Sequence, residues 1–212
     1  MRDQILTTVL LLPGILLGLT FHEYAHAFAA DRLGDKTPRF QGRLTLNPFV
    51  HIDPIGLIMI LIFHFGWAKP VETNPSAYKN YYKDDLKVSI SGPLANLVIA
   101  FLSALVLALF IKFGKGINLS SNLVTIIYYI LYLSVNMNCM LFILNLIPIP
   151  GFDGFHILRD LFPKLFFNIS DKIYQYQFII MIIFLVSPLS TYVIRIPSEF
   201  IGNLIMNIVS RI

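Results

Sequence analysis

Thr20-Phe21-His22-Glu23-Tyr24-Ala25-His26-Ala27-Phe28-Ala29-Ala30 closes an almost uninterrupted apolar run that begins at Ile5. Two imidazoles and a carboxylate placed in lipid cost on the order of several kcal/mol each unless something pairs with them, so their position marks a functional site. On a helix, positions i and i+4 share a face, so His22 and His26 can ligate one metal ion. Glu23, one residue round, is left free beside it. This is the H-E-x-x-H pattern of zinc hydrolases, set at membrane depth. The competing reading is a pair of buried, hydrogen-bonded histidines in a helix bundle.

Working outward, 56% of the 212 residues are hydrophobic and 13% charged, and the mean hydropathy is +0.71. These values exclude an ordinary soluble domain and give an all-α polytopic membrane protein, one membrane-embedded unit over residues 1–212. About four transmembrane helices are expected, near 4–31, 88–112, 122–147 and 174–195, since a crossing needs about 20 apolar residues. Ile55 to Trp67 is too short to span and suits a re-entrant segment, bounded by Pro54, Gly56 and Gly66. Ser198 to Ile212 reads as an amphipathic or interfacial tail. A secretory signal ending at Ala25-His26-Ala27 is a poor alternative, because cleavage there would discard both histidines.

Between Asp31 and Lys87 the chain turns polar and is cut by Pro38, Pro48, Pro54, Pro70 and Pro75. Arg43-Leu44-Thr45-Leu46 alternates, and Ala68-Lys69-Pro70-Val71 can be extended. A short β-ribbon is expected in this first connection, with an edge that can pair with an unwound substrate segment. With four crossings, one side holds Arg32, Lys36, Arg39, Arg43, Lys69, Lys79, Lys83, Lys87, Arg159, Lys164 and Lys172, and the other Arg2, Lys112, Lys115, Arg195 and Arg211. The richer side, which follows the H-E-x-x-H helix, is then cytoplasmic. The net charge of +4 is read as topology and calls for no nucleic-acid partner. The single Cys139 excludes an internal disulfide and reads as a packed core residue.

Asn145-Leu146-Ile147-Pro148-Ile149-Pro150-Gly151-Phe152-Asp153-Gly154 must break the third spanning helix. Irregular backbone at membrane depth is tolerated only where it is buried in protein or lines a wet cavity. Asp153 is therefore the best third metal ligand, with a helix N-cap as its competitor. Glu23 then acts as general base on a water whose pKa zinc lowers to about 7. Asn96, at the start of an apolar helix behind Ser91-Gly92-Pro93, can bond a neighbouring helix or hold a substrate backbone. Asn145 has the same two readings. His51, His64 and His156 read as structural or interfacial, His156 also as a partner to Asp153.

In this order, His22 to His26, Gly92-Pro93-Leu94-Ala95-Asn96 and Asn145 to Gly154 resemble the H-E-x-x-H, G-P-x-x-N and N-x-x-P-x-P-x-x-D-G motifs of the site-2 protease family. Gly66 to Val71 and Gly42 to Pro48 resemble its bacterial branch, and the likeness covers about residues 10 to 165. It implies an intramembrane zinc metalloprotease of a bacterial cell membrane. Zn2+ would be bound by His22, His26 and Asp153, with Glu23 catalytic and Asn145 and Asn96 facing a transmembrane protein or peptide substrate. Its active site would lie nearer the cytoplasm, and no PDZ or CBS domain is recognisable. A metal permease using the same ligands has no need of Glu23, and a silent binder of transmembrane segments has no reason to hold all four residues in lipid.

Overall fold

The computed structural model describes residues 2–63, 66–114 and 119–211. His64 and Lys115 lie outside the described residues. The chain runs α1 (Arg2–Leu33), α2 (Thr37–Phe40), α3 (Pro48–His51), α4 (Pro54–Phe63), a 3-10 turn (Pro75–Ala77), α5 (Tyr81–Phe113) and α6 (Ser121–Asn145). After a break come α7 (Asp153–Leu161), α8 (Pro163–Gln175), α9 (Gln177–Val186), a π-helical turn (Thr191–Arg195) and α10 (Ile196–Val209).

Among the described residues, Leu6–Leu33, Tyr81–Phe113 and Ser121–Asn145 are long and apolar enough to cross a membrane. α8 and α9, bent by 82°, make up to a fourth crossing if taken together. The apolar stretch 174–195 is therefore not one helix. Ser187 precedes Pro188, which disfavours helical geometry, and Ser187 is extended. α5 starts before its apolar run because Asp84 works from inside the helix: its carboxylate accepts the Asn80 N–H at 3.0 Å and pairs with Lys87 at 2.6 Å.

α1, α5 and α6 pack on one another and form the frame of the site. Gly14 and Gly18 let α6 approach α1 closely: a Cβ at Gly14 would lie 2.7 Å from the Ser134 Cα, and one at Gly18 2.6 Å from Asn138 Oδ1. On the far side Ala100, Ala104, Val135, Cys139, Ile205 and Val209 form a buried cluster. Cys139 is the core residue expected. α10 closes that cluster with Gly202, Ile205 and Val209, so most of the expected tail is a packed helix.

Among the described residues no strand forms in the first connection, and a single antiparallel bridge joins Ile52 and Ala68. Side chains brace this connection in place of a ladder. Arg43 is buried and its guanidinium donates to the carbonyls of Val50 and Lys69. Asp35 accepts from Thr37 N and from Asn74 N, at 2.9 and 2.6 Å. His51 is fully buried, with Nε2 donating to Thr45 O at 2.7 Å. Burial and the nearby Arg43 charge hold its pKa below the ordinary value.

Candidate metal centre

α1 carries His22 and His26 as one buried pair, their Nε2 atoms 3.1 Å apart. His22 Nδ1 donates to Asn96 Oδ1 at 2.8 Å, and His26 Nδ1 donates to the Val88 carbonyl at 2.8 Å. A carbonyl oxygen can only accept, so each ring carries a proton on Nδ1, which leaves Nε2 of the neutral ring as the atom that can ligate a metal. Gly92 is required here, since a Cβ would fall on His26 Nε2 and 2.7 Å from His22 Cε1.

The break after α6 brings the third group. Asn145 ends that helix, Gly151 turns the chain at φ 98°, and Asp153 is the first residue of α7. Gly154 lies against the carbonyls of Leu146 and Ile147, too close for any side chain. The N-cap position belongs to Phe152, which makes no side-chain cap, so Asp153 is not spent on capping. Its Oδ2 lies 3.1 Å from His22 Nε2 and 3.3 Å from His26 Nε2.

That oxygen is buried with no hydrogen-bond partner among the described residues. With both rings neutral, two lone pairs and a carboxylate oxygen converge, an arrangement that a cation among them would hold together. The three ligand atoms lie within 4.8 Å of one another. Two nitrogens and one oxygen on a spacing open to a further ligand is the donor set of a catalytic zinc site, so the residues fit that metal.

Glu23 is buried beside the histidines, and its Oε2 accepts the Val71 N–H at 2.7 Å. A cavity of about 570 Å³ is lined by His22, Glu23, His26 and Asp153 together with Val71, Thr73, Tyr81, Asp85, Asn145, His156 and Arg159. Asn145 spends one N–H on the Leu141 carbonyl at 3.0 Å. Asn96 does not line this cavity: its side chain is fully buried within the bundle and bonds His22 and the Gly18 carbonyl on the neighbouring helix, the first of its two readings. Sequence reasoning also missed Val71, because a backbone amide has no side-chain signature. Arg159, read from the sequence only as a topology charge, donates to Asp85 on α5 and, at 2.8 Å, to Asp160.

The family model of peptidase family M50 matches residues 10–188. The chain belongs to peptidase family M50. It is 37% identical over 183 residues to "Putative zinc metalloprotease YwhC" of Bacillus subtilis (strain 168), covering 85% of this chain and 81% of that protein. To "Putative zinc metalloprotease Rip2" of Mycolicibacterium smegmatis it is 30% identical over 187 residues, 85% of this chain and 68% of the relative. "Putative zinc metalloprotease MJ0611" of Methanocaldococcus jannaschii is 26% identical over 161 residues, 74% of this chain and 72% of the relative. No solved structure matches this M50 chain.

Proposed function

We propose that this protein is an intramembrane zinc metalloprotease that hydrolyses a peptide bond within or near a transmembrane segment of a membrane protein. The observation that carries this reading is the convergence of His22 Nε2, His26 Nε2 and Asp153 Oδ2 in a cavity shared with Glu23. Zinc held by these three supplies Lewis acidity, lowering the pKa of water to about 7 and polarising the scissile carbonyl. Glu23 takes the proton from the attacking water and delivers it to the leaving amine. The Val71 N–H holds Oε2, which keeps the carboxylate in place and leaves Oε1 for that proton. Asn145, whose second N–H has no partner among the described residues, donates to the carbonyl oxygen as negative charge develops.

An apolar cavity of about 450 Å³, lined by Ile15, Leu19, Trp67, Met140, Leu144 and Phe178, shares Gly151 and Phe152 with the metal cavity. In this reading it receives an apolar side chain of the unwound substrate helix. We take α8 with α9 as the fourth crossing, and the basic side of the chain as cytoplasmic, which places Glu23 nearer that face of a bacterial cell membrane. Support for a substrate-pairing edge in the first connection is the Ile52 to Ala68 bridge.

Zinc content per chain and cleavage of a transmembrane substrate, measured together on detergent-purified protein, test the proposal. Wild type should hold one zinc, Asp153→Ala should lose it, and Glu23→Gln should keep it while cleavage ceases. A metal-free folded wild type, or cleavage by Glu23→Gln near the wild-type rate, would overturn the reading.

A further inference from the structure

We infer that Asn138, on α6 and outside the metal cavity, is a positioning residue that fixes the tautomer of His22 through Asn96. This rests on the zinc reading above for its purpose, but its geometry stands apart from any metal. Asn138 is fully buried, and its Nδ2 donates to the carbonyls of Gly14 and Ser134 at 3.1 and 2.9 Å. Two carbonyls accept only, so the amide cannot be flipped, and Oδ1 must point at Asn96. There it accepts from Asn96 Nδ2 at 3.2 Å, while the Gly18 carbonyl accepts from the same nitrogen at 3.0 Å. With both amine hydrogens committed, Asn96 can present only its oxygen to His22 Nδ1.

Every donor and acceptor along this chain has one possible direction, and the direction ends on a protonated His22 Nδ1, which in the neutral ring frees Nε2. The arrangement depends on Gly14 and Gly18, which let Asn138 reach the backbone of α1. Burial makes it hold: no water reaches Asn96 or Asn138, both fully buried, to offer an alternative partner. Replacing Asn138 by an apolar residue leaves one buried N–H of Asn96 unpaired and halves the hold on its orientation. An Asn96 that turns over would offer N–H to His22, force the proton onto Nε2 and remove the ligand.

His26 is the internal control, because Val88 fixes its ring independently of Asn138. The test is 15N NMR of the ring nitrogens in metal-free Asn138→Leu, together with zinc affinity by chelator competition. The expected result is a His22 ring split between tautomers, a His26 ring unchanged, and zinc affinity lower by about 10- to 100-fold. Both rings changing together would mean a merely structural role, and an unchanged His22 ring would remove the inference whatever the affinity does. If Asn138→Leu does not fold, Asn138→Ser shortens the side chain out of reach of Asn96 and is read the same way. A wild type that binds no zinc but holds His22 in one tautomer would sink the function while leaving this inference intact.

Discussion

His22 and His26 stand in the C-terminal half of a continuous helix and are aimed by neutral groups: the Asn96 amide, the Val88 carbonyl and the space left by Gly92. Asp153 stands at the start of a nine-residue helix behind a break. α7 is tied to α5 by an ion pair between Arg159 and Asp85 and also carries Asp160, Arg159's second partner. Inside the bundle a spare charge is expensive, whereas amides orient a ring without adding one. α7 packs along α5, and Arg159 with two carboxylates adds a charge-assisted tie to that packing.

The histidine half is set by packing that leaves no slack, so it should be the more fragile to added volume. Gly92→Ala places a methyl group where the two imidazoles lie. Overpacking of this kind costs about 1 to 3 kcal/mol, and here the groups displaced are the ligands themselves. Zinc affinity should fall by about 100-fold in a protein that keeps its helical circular dichroism. Affinity within a factor of two of wild type would mean that the rings have room to move, and the contrast between the halves would dissolve.

The aspartate half should respond to charge and be partly repairable. Arg159→Gln leaves Asp85 and Asp160 buried without their cation. Breaking a buried pair from one side costs about 3 to 5 kcal/mol of stability. Much of that cost belongs to the stranded carboxylates, so adding Asp85→Asn to Arg159→Gln should restore most of the thermal stability, as a double-mutant cycle would record. Zinc affinity should fall by about 10-fold in the single variant and recover in part in the double. Additive losses would show that Asp85 and Arg159 act separately, and that α7 is not held by their pairing.

The two halves were also unequally legible. His22, Glu23 and His26 announce themselves because polar groups in an apolar run have no other reason to be there, and the broken helix points to Asp153. The three long crossings follow from the same hydropathy. What escaped are features that exist only once helices meet. Asn96 carries two plausible uses as a lone amide, and only the approach of α1 selects one. Asn138 among apolar neighbours looks like any packed polar residue; the one hint is that Gly14 and Gly18 form a close-approach stripe on the helix that bears the histidines. Arg43-Leu44-Thr45-Leu46 alternates as a strand does, but Arg43 turns inward to two carbonyls and Thr45 serves His51. Such side-chain bracing has no period to detect.

Pro148 and Pro150 sharpen the comparison from its weaker end. Read from sequence alone, their replacement by Ala should straighten the helix and carry Asp153 away. The structure gives the break further supports: Gly151 at φ 98°, which an L residue rarely adopts, and Gly154 pressed on the Leu146 and Ile147 carbonyls. Asp153 is also drawn towards the imidazole pair whenever a cation joins them. The double variant should therefore lose no more than a few-fold in zinc affinity, less than either Gly92→Ala or Arg159→Gln. Its main effect should be a lower thermal midpoint of the metal-free protein, because the prolines restrict the unfolded chain and no cation then holds the break closed. A loss as large as that of Gly92→Ala would instead make the prolines the principal device that aims the carboxylate, and would assign the glycines only the task of permitting the turn.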